Sequence, residues 1–134
     1  MNMDIRKYYD SNNTVMAVVI PHDHESKGIE FCTKDEDYMQ VACMGHKAGH
    51  VIIPHYHNRI SRTVDYTCET LVVRKGAMRV TLYENKDPKY TFVLYSGDIL
   101  TMFSGGHGFE VIEDIDMVEI KQGPYMGEND KTRF

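Results

Sequence analysis

The alternation in MRVTLYE, residues 78–84, most narrows what this chain can fold into. Met78, Val80 and Leu82 alternate with Arg79, Thr81 and Tyr83. On an extended backbone successive side chains point to opposite faces, so such a segment buries one face and wets the other. Segments of strand character recur: TVMAVVI (14–20), YMQVACM (38–44), HVII (50–53), ETLVVRK (69–75), YTFVLY (90–95), DILTMF (98–103), FEVIE (109–113) and DMVEIK (116–121). Turn compositions separate them: Lys75-Gly76, Asn85-Lys86-Asp87-Pro88, Ser96-Gly97-Asp98 and Ser104-Gly105-Gly106. No window carries a helical stripe. Short strands at a spacing of roughly 8–12 residues with such turns predict an all-β sandwich or barrel.

One domain over residues 1–134 is expected, because a chain of 134 residues buries a single core and leaves little for a second. Its core spans about 40–121, with N-terminal strands within 14–32. Residues 1–13 read as a polar lead-in. The tail 123–134, rich in turn formers and charge, is either frayed or docked through Tyr125 and Phe134. The net charge of −5 argues against a nucleic-acid partner or an anionic membrane, since phosphate binding needs clustered Lys and Arg. There is no apolar run long enough for a membrane helix, and the polar start MNMDIRKYYD has no signal-peptide pattern. A cytoplasmic location is the expectation. Cys32, Cys43 and Cys68 form no CxxC pair and read as small buried hydrophobes.

The histidines carry the chemistry. In GHVIIPHYHN, His55 and His57 stand two apart and share a strand face with Val51 and Ile53, which reads as the interior. An HxH pair is either two surface histidines at a strand end or the start of a metal site completed from elsewhere. The surroundings favour the second. Glu69 follows, then a glycine at Gly76, and later Gly97-Asp98 and His107. His22 and His24, in PHDH, have no such sequel and read as a polar turn between strands. His50 falls on the other parity from His55 and reads as a structural or surface group; His46 sits in a Gly-rich turn and reads as exposed.

This pattern resembles the cupin superfamily. Its first motif, HxH then Glu then Gly, maps onto His55, His57, Glu69 and Gly76. Its second, beginning Gly-Asp and ending in His after a small turn, maps onto Gly97, Asp98 and His107. The segment NRISRTVDYTC (58–68) between His57 and Glu69 is longer than the family pattern has. The second motif is one residue short, with Phe103 where proline is common. The resemblance implies a cupin-type double-stranded β-helix, or jelly-roll barrel. It also implies one divalent transition metal (Fe, Mn, Ni or Zn) held by His55, His57, Glu69 and His107. The ending GGHGFE, then KQGPY and a closing DK-RF, is similar to small cupin proteins of bacterial surface-polysaccharide and sugar gene clusters.

A metal-dependent enzyme on a small polar substrate, such as a sugar or sugar-nucleotide derivative, is therefore expected, with isomerase- or epimerase-like Lewis-acid chemistry. An Fe(II)-dependent dioxygenase and a non-catalytic sugar-binding module are the alternatives. Tyr66 and Glu110 are the candidates for proton transfer, with Tyr56 a third that strand parity sends away from the ligands. Arg59 and Arg62, in the loop between two ligands, are candidates to hold a carboxylate or phosphate. A homodimer is expected, with N-terminal strands covering a sheet edge of the second copy.

Overall fold

The computed structural model describes residues 3–134. Among these there is no α-helix; the chain forms eight strands and one short 3-10 turn. The strands are β1 (Arg6–Tyr9), β2 (Val15–Ile20), β3 (Gly28–Phe31), β4 (Ala42–Gly45), β5 (Glu69–Glu84), β6 (Asp87–Tyr95), β7 (Ile99–Met102) and β8 (Gly106–Lys121). The turn covers Glu128–Asp130. All strand pairs are antiparallel.

The two sixteen-residue strands organise the fold. β8 runs along the whole of β5, from Glu69↔Lys121 to Tyr83↔Gly106. The other edge of β5 takes β7 with its first half and β6 with its second. β2 and then β1 extend the sheet beyond β7, while β3 and β4 form a separate hairpin. The result is a strongly curled antiparallel sheet, a half-barrel.

β5 and β8 each replace two expected strands. The expected turn at Lys75-Gly76 is a bend inside β5 instead, with register shifts on both sides of Lys75. Gly76 has φ +89°, and a Cβ there would lie 2.1 Å from the Asp114 carbonyl oxygen, so only glycine lets the bent strands stay in contact. Bulges of this kind re-aim a strand without ending it.

The burial pattern explains the sequence pattern. Met78, Val80 and Leu82 are buried while Arg79, Thr81 and Tyr83 are not. They join Met16, Leu71, Val73, Leu94, Leu100 and Met102 in the main core. A second cluster, Val18, Cys32, Cys68 and Phe103, lies against the β3–β4 hairpin. β2 contributes to both, so Met16, Ala17, Val18 and Val19 are all buried and the strand reads as a continuous apolar run.

Three further expectations are corrected. The lead-in contains β1, whose Tyr8 stacks on Phe92 at 4.6 Å and meets Tyr90 edge-on at 5.0 Å; aromatic contacts stand in for the missing alternation. The segment 38–44 is a strand only from Ala42. HVII (50–53) is not a strand, and Val51 and Ile53 do not face an interior. Every residue from 46 to 66 is exposed and outside any strand. A strand is held by pairing and by burial of one face, and within one chain this segment has neither.

Candidate functional site

The bend in β5 and the start of β8 place two of the expected ligands together. Glu69 opens β5 on the face shared with buried Leu71 and Val73. His107 pairs with Leu82 and so faces the same interior. Their side chains meet with His107 Nε2 3.4 Å from Glu69 Oε2, the carboxylate 14 % accessible and the imidazole 33 %. The imidazole holds the Glu69 carboxyl below its ordinary range, partial burial opposes this, and Lys121 and Lys131 add to the pull. Lys121 is the register partner of Glu69 across the β5–β8 ladder.

Both groups line an open cavity of about 1050 Å³ at the mouth of the half-barrel, with Met16, Tyr66, Tyr83 and Phe134 among its walls. The tail closes one side. Phe134 packs edge-on against Tyr83 at 5.2 Å, and Thr67 donates a 2.6 Å hydrogen bond to Asp130. A Cβ on Gly106 would stand 2.8 Å from the Phe134 ring, so the glycine before His107 makes room for it. Of the two residues expected to dock the tail, Phe134 makes this ring contact while remaining exposed, and Tyr125 is more exposed still.

The HxH pair stands apart from this cavity. His55 and His57 are exposed, their rings 5.4 Å apart and steeply inclined at 72°. The His55 Nδ1–H donates to the Ile53 carbonyl at 2.8 Å. Because a carbonyl only accepts, the neutral ring carries its proton on Nδ1 and presents the Nε2 lone pair outward. Arg59 and Arg62 are exposed on the same segment. Tyr66, at its end, lines the cavity. Glu110 points to the outer face, where Arg79 donates to it at 2.8 Å.

The rest of the second motif is structural. Asp98 is buried and accepts from the backbone N–H groups of His22 and Tyr95, each at 2.8 Å, and faces the His22 ring at 3.1 Å. PHDH is a turn, as expected, leading from β2 towards β3. His24 faces Glu30 at 3.2 Å, and His46 stacks on His50 at 4.0 Å on the exposed segment. Cys32 and Cys68 are buried and Cys43 is half-buried, as small hydrophobes would be.

Tyr83 keeps the outward parity that alternation predicts, with its ring beside Gly106 and Gly108, and from there reaches the rim of the cavity. One site feature escapes the sequence. Lys121 reads by parity as exposed, yet the continuous β5–β8 ladder sets it opposite Glu69. The density of glycines around His107 was the available signal for a ring packed on that strand.

The separation of Glu69 and His107 suits two donors to one metal ion as well as an ion pair. Donor atoms about 2.1 Å from a Zn-like ion stand about 3.0 Å apart at a right angle and about 3.4 Å apart at the tetrahedral angle. The observed 3.4 Å lies within that range. Among the described residues no group of three or more His, Cys, Asp or Glu side chains gathers around one point within the single chain. No described helix is long and apolar enough to cross a membrane. Searches of protein-family models, curated proteins and solved structures found no match.

Proposed function

We propose that this chain is a metal-binding barrel of the cupin type and an enzyme acting on a small polar substrate, such as a sugar or sugar-nucleotide derivative. The observation that carries the reading is the convergence of Glu69 and His107 at 3.4 Å in the cavity mouth. The topology supports it. Two long bent strands run antiparallel for their whole length, and one of them hands its other edge from β7 to β6, as a double-stranded β-helix requires.

Glu69 and His107 would hold a divalent Fe, Mn, Ni or Zn ion, with His55 and His57 completing the set. Such an ion supplies Lewis acidity towards a carbonyl or hydroxyl oxygen. The chain's own groups do the rest. Tyr66, which lines the cavity, would exchange a proton at the substrate atom facing it. Tyr83 and Phe134 offer flat apolar walls suited to a sugar or base. Arg59 and Arg62 are placed on the segment leading to Tyr66 and would meet a carboxylate or phosphate. Glu110 is committed to Arg79 on the outer face, which makes Tyr66 the stronger candidate for proton transfer.

The test is solvent deuterium exchange into a panel of nucleotide sugars and free sugars in D2O, with and without chelator, in air and under nitrogen. Chelator-sensitive exchange without oxygen supports isomerase- or epimerase-like chemistry. Oxygen uptake without exchange marks an Fe(II) dioxygenase instead. Ligand binding with neither leaves a binding module.

A further inference from the structure

β8 is paired on one edge only. β5 covers its whole length, and no other described strand meets its far side. Along this sixteen-residue strand the N–H and C=O groups of alternate residues point to the free edge and form an open template for a further strand. The inward face beside that edge is also uncovered. Phe109 and Val111 share the face of His107 and lie opposite the fully buried Val80 and Met78, yet they are 39 % and 53 % accessible. The core is open at that place.

The segment 46–66 has the complementary defect. It is anchored at both ends, by the Gly28↔Gly45 pair of the β3–β4 hairpin and by buried Cys68. Between these anchors it stands off its own chain, with Val51 73 %, Ile53 78 % and Tyr56 85 % accessible. Its β-branched run, Val51-Ile52-Ile53, suits a strand rather than a solvated loop. Large apolar groups left in water on an extended backbone seek a surface to cover.

We propose that two copies of this chain exchange these arms. Residues 51–57 of each copy add as an antiparallel strand to the free edge of β8, residues 107–113, in the other. The geometry selects the direction. The histidines close the arm, and His107 opens β8, so only an antiparallel arm brings His55 and His57 next to His107. The parity agrees: Val51, Ile53, His55 and His57 share one face, so apolar groups that cover Phe109 and Val111 carry the histidines to the metal side. The occupant is a second copy because the single chain, with both arm and edge available to it, leaves the two apart. The exchange is reciprocal and closed, giving two equivalent sites per dimer. That each site then holds Glu69 and His107 from one copy and His55 and His57 from the other, and that the arm runs antiparallel, rests on the metal reading; that an arm is exchanged rests on strand pairing and burial.

Cross-linking tests the exchange without any metal. Tyr56→Cys and Glu110→Cys are both at exposed positions, on the parity that would face away from the site. Chains carrying one substitution each, one of them isotopically labelled, are co-expressed and treated in chelator with a short bis-maleimide, with the parent as the control for native cysteines. The expected product is a covalent pair of one labelled and one unlabelled chain, from a species of twice the 15.5 kDa chain mass by light scattering. A monomeric mass overturns the proposal. So does a cross-link that is absent from this mixture and forms only within a single chain made to carry both substitutions, since the arm then folds back on its own barrel. Absence of any cross-link between the two positions overturns it as well. A cross-linked dimer that binds no metal would retain the exchange and remove the metal reading.

Discussion

Replacing Asp98 by alanine should unfold this protein far more readily than its place in a ligand-bearing motif would suggest. The Asp98 side chain is 6 % accessible, and its two oxygens accept the backbone N–H groups of His22 and Tyr95. It thereby ties the turn after β2 to the end of β6 and the start of β7. Asp98→Ala leaves both donors without a partner at about 1–3 kcal/mol each, or about 4 kcal/mol together. The His22 ring, half exposed, rehydrates and adds nothing to that figure. An unfolding entropy of about 2.1 cal/mol/K per residue over 134 residues converts this to a melting temperature about 14 °C lower. Asp98→Asn keeps one oxygen and should lose about half as much. Urea denaturation followed by circular dichroism, in chelator so that no metal contributes, measures the change in midpoint at constant slope. A loss below about 1 kcal/mol for Asp98→Ala would refute the reasoning.

The carboxylate of Glu84 accepts from the Ser11 N–H and hydroxyl and from Lys89, and these donors hold its pKa down to about 2 from an ordinary 4.5. Because the folded pKa is the lower one, its contribution to stability is complete above about pH 4.5 and is lost as pH falls towards 2. Glu84→Gln should flatten the melting temperature against pH across that window, by a small amount that salt reduces further, since the group is exposed to solvent screening. Cys32 is pushed up to about 11 by burial and then by its neighbour Cys43, 3.8 Å away. Maleimide at pH 8 should therefore label Cys43 before Cys32, and Cys32 only as the protein unfolds; peptide mass mapping over time would expose the reverse order.

Much of the half-barrel was legible because its strands follow simple rules of burial. The alternation at 78–84 and the continuous apolar run at 15–20 reflect one-sided and two-sided cover. What the sequence hid lies where the backbone departs from regular pleating. Gly76 reads as a turn and is a bend, since the same lack of a Cβ serves both. Tyr8 and its neighbours form a strand through ring packing that no periodicity announces. Glu69 and His107 were found by motif spacing and are brought together, whereas His55 and His57 lie on an arm whose strand form depends on a surface outside its own chain.

Metal content tests the central claim most directly. Plasma mass spectrometry on protein purified without a histidine tag should find close to one transition-metal ion per chain. That metal should be lost from His55→Ala/His57→Ala and from Glu69→Ala/His107→Ala, while circular dichroism shows both variants folded. Parent protein without metal, and without uptake of added Fe(II), Mn(II), Ni(II) or Zn(II), would contradict the account and leave Glu69 and His107 as an ion pair in a metal-free cavity.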